Sequence, residues 1–111
     1  MNSSSNAVAA LVTAPDAETA RALAKAALEA RLCACAQLIP GLESHYWWQG
    51  KLESSSEVLV LFKTLRPHVE SLQALVLRLH PYDTAQFVVL DLAGGSPKYL
   101  QWIVSNVASF S

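Results

Sequence analysis

Two long extended runs meet at Gln49-Gly50, and their length constrains everything around them. The first spans residues 36–48, the second residues 51–64. Thirteen residues in strand conformation cover ~43 Å at ~3.3 Å each. A compact chain of this length has a radius of gyration of ~13 Å and a diameter of roughly 34 Å. Such a hairpin must bend strongly or project beyond its own domain. Pro40-Gly41 supplies a bend, and Gly50 supplies the positive φ of a tight turn. The tip carries Tyr46, Trp47 and Trp48. Three aromatic rings are a poor choice for open solvent. An arm clasped on a second copy of the chain accounts for both the length and the rings.

The rest of the sequence frames this hairpin. Residues 7–13 are a short apolar run before Pro15 and read as a strand buried on both faces. Asp16 is an N-cap, and Ala20, Leu23, Ala24, Ala27 and Leu28 follow at helical spacing, to an end near Leu32. In the second long strand the alternating set Leu52, Ser54, Ser56, Val58, Val60, Phe62 turns apolar only in its second half. Pro67 opens another helix through Val69, Leu72, Leu75, Val76 and Leu79, stopped by His80-Pro81. Residues 86–92 form a further apolar strand. Ser96-Pro97 starts a last helix with Leu100, Ile103, Val104 and Val107 on one side. The order β-α-β-β-α-β plus a C-terminal helix predicts an α+β, ferredoxin-like domain over residues 7–111, after a flexible tail at residues 1–6.

In that arrangement two helices cover one face of an antiparallel sheet and the other face needs a cover. Composition says where it comes from. Of the 111 residues, 52% are hydrophobic and 15% charged, more apolar material than one small core needs. No apolar run approaches the ~20 residues of a membrane span. Subunit association is the remaining destination. The net charge of −1, with basic residues scattered singly, excludes a nucleic-acid surface. The polar N-terminus has no signal-peptide pattern, which predicts a cytoplasmic protein. Cys33 and Cys35 are too close for an unstrained disulfide and read as free thiols, with at least one in the core.

No residue set points to catalysis. There is no nucleophile elbow and no glycine-rich phosphate loop. The loop after the first strand, Thr13-Ala14-Pro15-Asp16, would repel phosphate. His80 and Asp83 could together hold an ion or a polar ligand; the alternative is a helix-terminal histidine with Tyr82 packed beside it. Lys63 could attract an anion or simply end a strand in solvent. His45 and His68 read as surface or interface residues. Tyr46, Trp47 and Trp48 could stack a ligand, though interface anchoring is the commoner use of such a cluster.

The motifs Thr13-Ala14-Pro15-Asp16, Ala34-Cys35-Ala36, Ile39-Pro40-Gly41, Ser44 to Lys51, Glu57, Lys63-Thr64, His80-Pro81-Tyr82-Asp83 and Tyr99 to Ile103 resemble the CutA family of divalent-cation tolerance proteins. The resemblance runs from about residue 8 to 104. It implies a tight, non-enzymatic homotrimer associated with divalent cations, copper above all, with Tyr46, Trp47 and Trp48 at the trimer interface. It also implies clefts between subunits, where Lys63, His80, Tyr82, Asp83 and Gln86 would lie. The architecture is similar to the PII signalling proteins, so a trimeric sensor binding a small polar ligand in those clefts is the alternative function.

Three departures from the family bear on metal. Val12 stands where copper-binding members are proposed to carry a cysteine, Leu79 where a second histidine can occur, and Ala85-Gln86 in place of Pro-Glu. Thiolate, imidazole and carboxylate are the donors that copper or zinc prefers. With His80 and Asp83 the remaining candidates, no cofactor is required, and copper or another divalent cation is expected to bind only weakly.

Overall fold

Strand β1 (Ala7–Ala14) is buried along almost its whole length, as its unbroken apolar sequence predicts. Asp16 caps helix α1 (Ala17–Glu29), its carboxylate accepting from the Thr19 amide at 2.7 Å. That bond holds the Asp16 carboxyl below its ordinary pKa. The helix stops at Glu29 rather than near Leu32, because Arg31 adopts a left-handed φ of 60°. The computed structural model describes residues 6–109. The flexible tail expected at residues 1–6 therefore lies, apart from Asn6, outside the described residues.

Strands β2 (Cys35–Trp48) and β3 (Lys51–Leu65) form the long hairpin. Gln49 and Gly50 take φ of 50° and 78°, the double positive φ of a type I′ turn that matches strand twist. The arm projects, and the chain measures 46 × 25 × 22 Å. The bend expected at Pro40-Gly41 is a β-bulge. Ile39 faces Leu59 and Leu42 faces Glu57, so β2 holds one extra residue, with Gly41 at a φ of 83°.

A 3-10 turn (Arg66–His68) leads into helix α2 (Val69–Leu79). Here one expectation fails. The sequence pattern puts His68 at the surface or an interface, but only 3% of it is exposed. It lies one helical turn before Leu72 and two before Val76, so it extends their buried stripe backwards. Strand β4 is Val88–Asp91, shorter than the 86–92 expected. Ser96 caps helix α3 (Pro97–Ser105), accepting from the Tyr99 amide.

The sheet order is β2-β3-β1-β4, all antiparallel, the ferredoxin-like arrangement. Leu23, Leu72 and Val76 of the first two helices pack on Val12, Val60 and Phe62 to make the main core, which also takes Cys33. On the opposite face α3 covers only one end, where Leu100 and Ile103 meet Ala7 and Ala34. Register places Leu11, Ile39, Leu59, Leu61, Val88 and Leu90 together on the rest of that face. Ile39, Val88 and Leu90 are 49%, 47% and 50% exposed, so among the described residues of the protomer an apolar sheet face is left without cover.

Candidate functional site

The site begins with a backbone group that the sheet leaves over. The Ala7 carbonyl accepts from Leu92 of the β4 side, so alternate carbonyls of β1 point toward β4. Pairing with β4 reaches only as far as Leu11. The Thr13 carbonyl points the same way with no strand opposite it. His80 fills the place: its Nε2 donates to Thr13 O at 2.7 Å. Since a carbonyl can only accept, Nε2 carries the proton and Nδ1 has the free lone pair. That lone pair accepts from the Tyr82 amide at 3.1 Å. Pro81 makes this geometry local, holding His80 in extended backbone (φ −74°, ψ 138°) at the end of α2.

The ring of Tyr82 rests against His80, with centroids 4.8 Å apart. Its hydroxyl donates to Glu57 Oε2 at 3.1 Å, and Ser44 donates to Oε1 at 2.6 Å. The bulge sets up the second contact. One extra residue in β2 shifts its alternation, so Leu42, Ser44, Tyr46 and Trp48 share a face with Glu57. Burial pushes the Tyr82 phenol up to about 12, with the adjoining Glu57 adding to it. The phenol thus stays a proton donor.

These groups line a cleft of ≈ 730 Å³ between the root of the arm and the loop after α2. Thr13, Ser44, Glu57 and Tyr82 form its floor; His45, Tyr46, Trp47 and Trp48 stand on the arm side; Asp83, Thr84 and Gln86 stand on the loop side. Tyr82, Asp83 and Gln86 all line this cleft, and His80 sits directly behind Tyr82. Glu57 and Ser44 were not foreseen as site residues. The available signal was a carboxylate in the apolar alternation of Glu57, Leu59 and Leu61, and only 8% of Glu57 is exposed. His45 is exposed and pairs with Glu43 at 2.6 Å.

Lys63 is the exception. In the protomer it is not on the cleft wall. Its ammonium donates to the Tyr99 hydroxyl at 3.1 Å and lies 5.0 Å from the centre of that ring. Cys35 reaches the same hydroxyl at 3.7 Å. The reason is register: Lys63 faces Ala9 and Cys35, near the end of the sheet that α3 covers.

The donor set does not suit copper or zinc within one protomer. Among the described residues no three His, Cys, Asp or Glu side chains gather as a metal centre. Both nitrogens of His80 are occupied by backbone hydrogen bonds, which leaves Asp83 as an exposed single carboxylate. A divalent ion of this kind needs three or four protein ligands to be held firmly.

A ferredoxin-like α+β domain with a projecting aromatic arm, and a His-Pro-Tyr loop closing over a buried glutamate, defines a narrow structural class. The chain belongs to the family of the CutA1 divalent ion tolerance protein, which it matches over residues 8–106. It is 46% identical over 102 residues to the divalent-cation tolerance protein CutA of Pectobacterium atrosepticum, covering 92% of this chain and 93% of that one. It is 43% identical over 103 residues to the protein CutA of Mus musculus, covering 93% of this chain and 58% of the mouse protein's length. CutA1 from Oryza sativa superimposes with a TM-score of 0.92 at 31% identity, over 98% of this chain and 100% of that one. The divalent cation tolerance protein from Thermus thermophilus gives 0.89 at 40% identity, over 92% and 99%.

Proposed function

We propose that the chain is a non-enzymatic homotrimer that serves divalent-cation tolerance, the role for which its relatives are named. The observation that carries the assembly is the uncovered sheet face, where Ile39, Val88 and Leu90 are each about half exposed. The arm adds to it. Trp47 and Leu52 face each other across the hairpin and are 72% and 67% exposed, an apolar pair fit to clasp a neighbour. Tyr46 and Trp48 belong to the same arm. A closed ring of three copies buries such faces without leaving one over.

The polar groups support a role without catalysis. His80 is tied to backbone on both sides, and the Tyr82 phenol sits near 12, far from the pH at which a general acid works well. Copper and zinc are held weakly, as His80 and Asp83 do not make a set. The cytoplasm is the compartment this reading favours, since both cysteines are free thiols. None of the described helices is long and apolar enough to cross a membrane. One structural relative, from Archaeoglobus fulgidus, is described as periplasmic.

The test is genetic. A strain lacking the gene should lose tolerance to added copper, and the wild-type gene should restore it. A variant whose arm no longer supports assembly should not. Unchanged tolerance in the deletion strain would overturn the proposal.

A further inference from the structure

Glu57, Leu59, Leu61 and Lys63 alternate along β3 and so form one stripe on the uncovered face, apolar in the middle with a charge at each end. We propose that this stripe sets the register of the trimer, the Glu57 carboxylate of each copy pairing with Lys63 of the partner subunit. The proposal rests on the trimer reading and deepens it, because the group around Glu57 is completed only by the next copy.

Each charge has neutral company within its own protomer. Glu57 is 8% exposed, and its two oxygens accept from the hydroxyls of Ser44 and Tyr82. A carboxylate offers about four acceptor positions, so roughly half remain to be filled. Lys63 is half-buried, and its ammonium donates to the Tyr99 hydroxyl at 3.1 Å. The ion pairs among the described residues are His45 with Glu43 and Arg66 with Asp91, and neither includes Glu57 or Lys63. The two cannot meet within one chain. The strand between them holds their backbones ~20 Å apart, beyond the joint reach of both side chains.

Assembly raises the stakes for both. A neighbour that covers Leu59 and Leu61 also seals the ends of the stripe. A charge sealed in without a partner is strongly unfavourable, whereas an opposed pair that keeps its hydrogen bonds offsets much of the desolvation. The cations on the described strands are Lys51 and Lys63. Lys51 stands at the exposed tip of the arm opposite Trp48, where water serves it. Arg66, just past β3, is held by Asp91. Lys63 is the cation left to answer Glu57. In a head-to-tail ring each interface joins unlike patches, so the Glu57 end of one stripe meets the Lys63 end of the next, and three copies close the circle. A slipped alignment that set Glu57 against Glu57, or Lys63 against Lys63, would bring like charges together and be rejected.

A double-mutant cycle tests the pair. Urea unfolding of the full-length protein at several concentrations gives the stability of the trimer for wild type, Glu57→Gln, Lys63→Met and the double variant. Each single change strands the opposite charge in the interface and should weaken the trimer at least roughly tenfold per interface. The double variant removes both charges, and its loss should be at least roughly tenfold smaller than the product of the single losses. Should Glu57→Gln fail to fold, Glu57→Asp takes its place in the cycle, keeping the charge and shortening its reach. Single losses that simply multiply, or a single variant as tightly assembled as wild type, would overturn the pair. Sedimentation of the wild type separates the two readings. A trimer with independent losses refutes the pair alone, and a monomer refutes the trimer and the pair with it.

Discussion

Tyr82 donates its phenolic hydrogen to the Glu57 carboxylate at 3.1 Å, and so ties the loop after α2 to the root of the hairpin arm. The two residues are 25 apart in sequence and meet on the floor of one cleft. What brings them together is a set of local decisions: Pro81 ends α2, His80 caps the open end of β1, and the bulge at Gly41 puts Ser44 beside the same carboxylate.

Tyr82→Phe keeps the ring on His80 and removes only the hydroxyl. The carboxylate then has Ser44 as its one hydroxyl donor, while the opening of the cleft lets water take part of the lost role. The folded state should lose about 1 kcal/mol. Urea unfolding of the variant against the wild type measures it. A loss within error of zero would show that the bond does not hold the loop.

His80→Ala should cost more. It leaves the Thr13 carbonyl and the Tyr82 amide without their partner and opens a buried space. The expected loss is roughly 2–3 kcal/mol. His45→Ala removes an exposed ion pair with Glu43 and should change stability by less than about 0.5 kcal/mol. The same His80 variant tests the metal expectation. Calorimetry with Cu(II) and Zn(II) should give dissociation constants in the micromolar range or weaker, roughly equal in wild type and variant. Tight binding abolished by the mutation would make His80 a ligand and refute the hydrogen-bonded role.

Alkaline pH offers a third check. Burial pushes the Cys33 thiol up from 9.0 to about 12, with Cys35 adding to it. Burial first, and Glu57 second, move the Tyr82 phenol from 10.0 to about 12. In both cases the unfolded chain gives up its proton at lower pH than the folded one. Stability should therefore be intact below about pH 9 and fall as pH rises from about 9 toward 12. The urea midpoint followed from neutral to alkaline pH shows the slope, and Cys33→Ala should make it shallower. A midpoint independent of pH over that range would contradict the account.

Much of this was legible in the sequence, for physical reasons that differ by residue. Asp16 and Ser96 announced their helices because a capping side chain acts within three residues of itself. Gly50 announces the turn because positive φ is written locally, and Pro40-Gly41 announces a bend, whose form as a bulge depends on the register with β3. His68 was misread because its burial depends on a stripe continued through a 3-10 turn, a tighter helix than the pattern assumes. β4 is shorter than its apolar run suggests because Gln86 and Phe87 belong to the returning loop and Leu92 lies past the strand's end. Glu57 is not legible as a site residue because its partners, Ser44 and Tyr82, arrive from other elements. Lys63, which the resemblance puts in a cleft between subunits, stands beside Tyr99 within the protomer because of its register.

The arm gives a fourth prediction. Trp47 is 72% exposed in the protomer and stands opposite Leu52. If a neighbour covers it, Trp47→Ala should weaken assembly by roughly 2 kcal/mol, as for a buried interface anchor. The variant's melting temperature should then depend more steeply on protein concentration than that of the wild type. Identical melting and unchanged assembly would place Trp47 outside the interface.

The homotrimer is the claim on which the uncovered sheet face and the projecting arm both depend, and sedimentation equilibrium tests it most directly. At micromolar concentration a single species near three times 12.0 kDa is predicted, unchanged on tenfold dilution. A stable species at 12.0 kDa would contradict it, for then Ile39, Val88, Leu90 and Trp47 would stand in water with nothing to cover them.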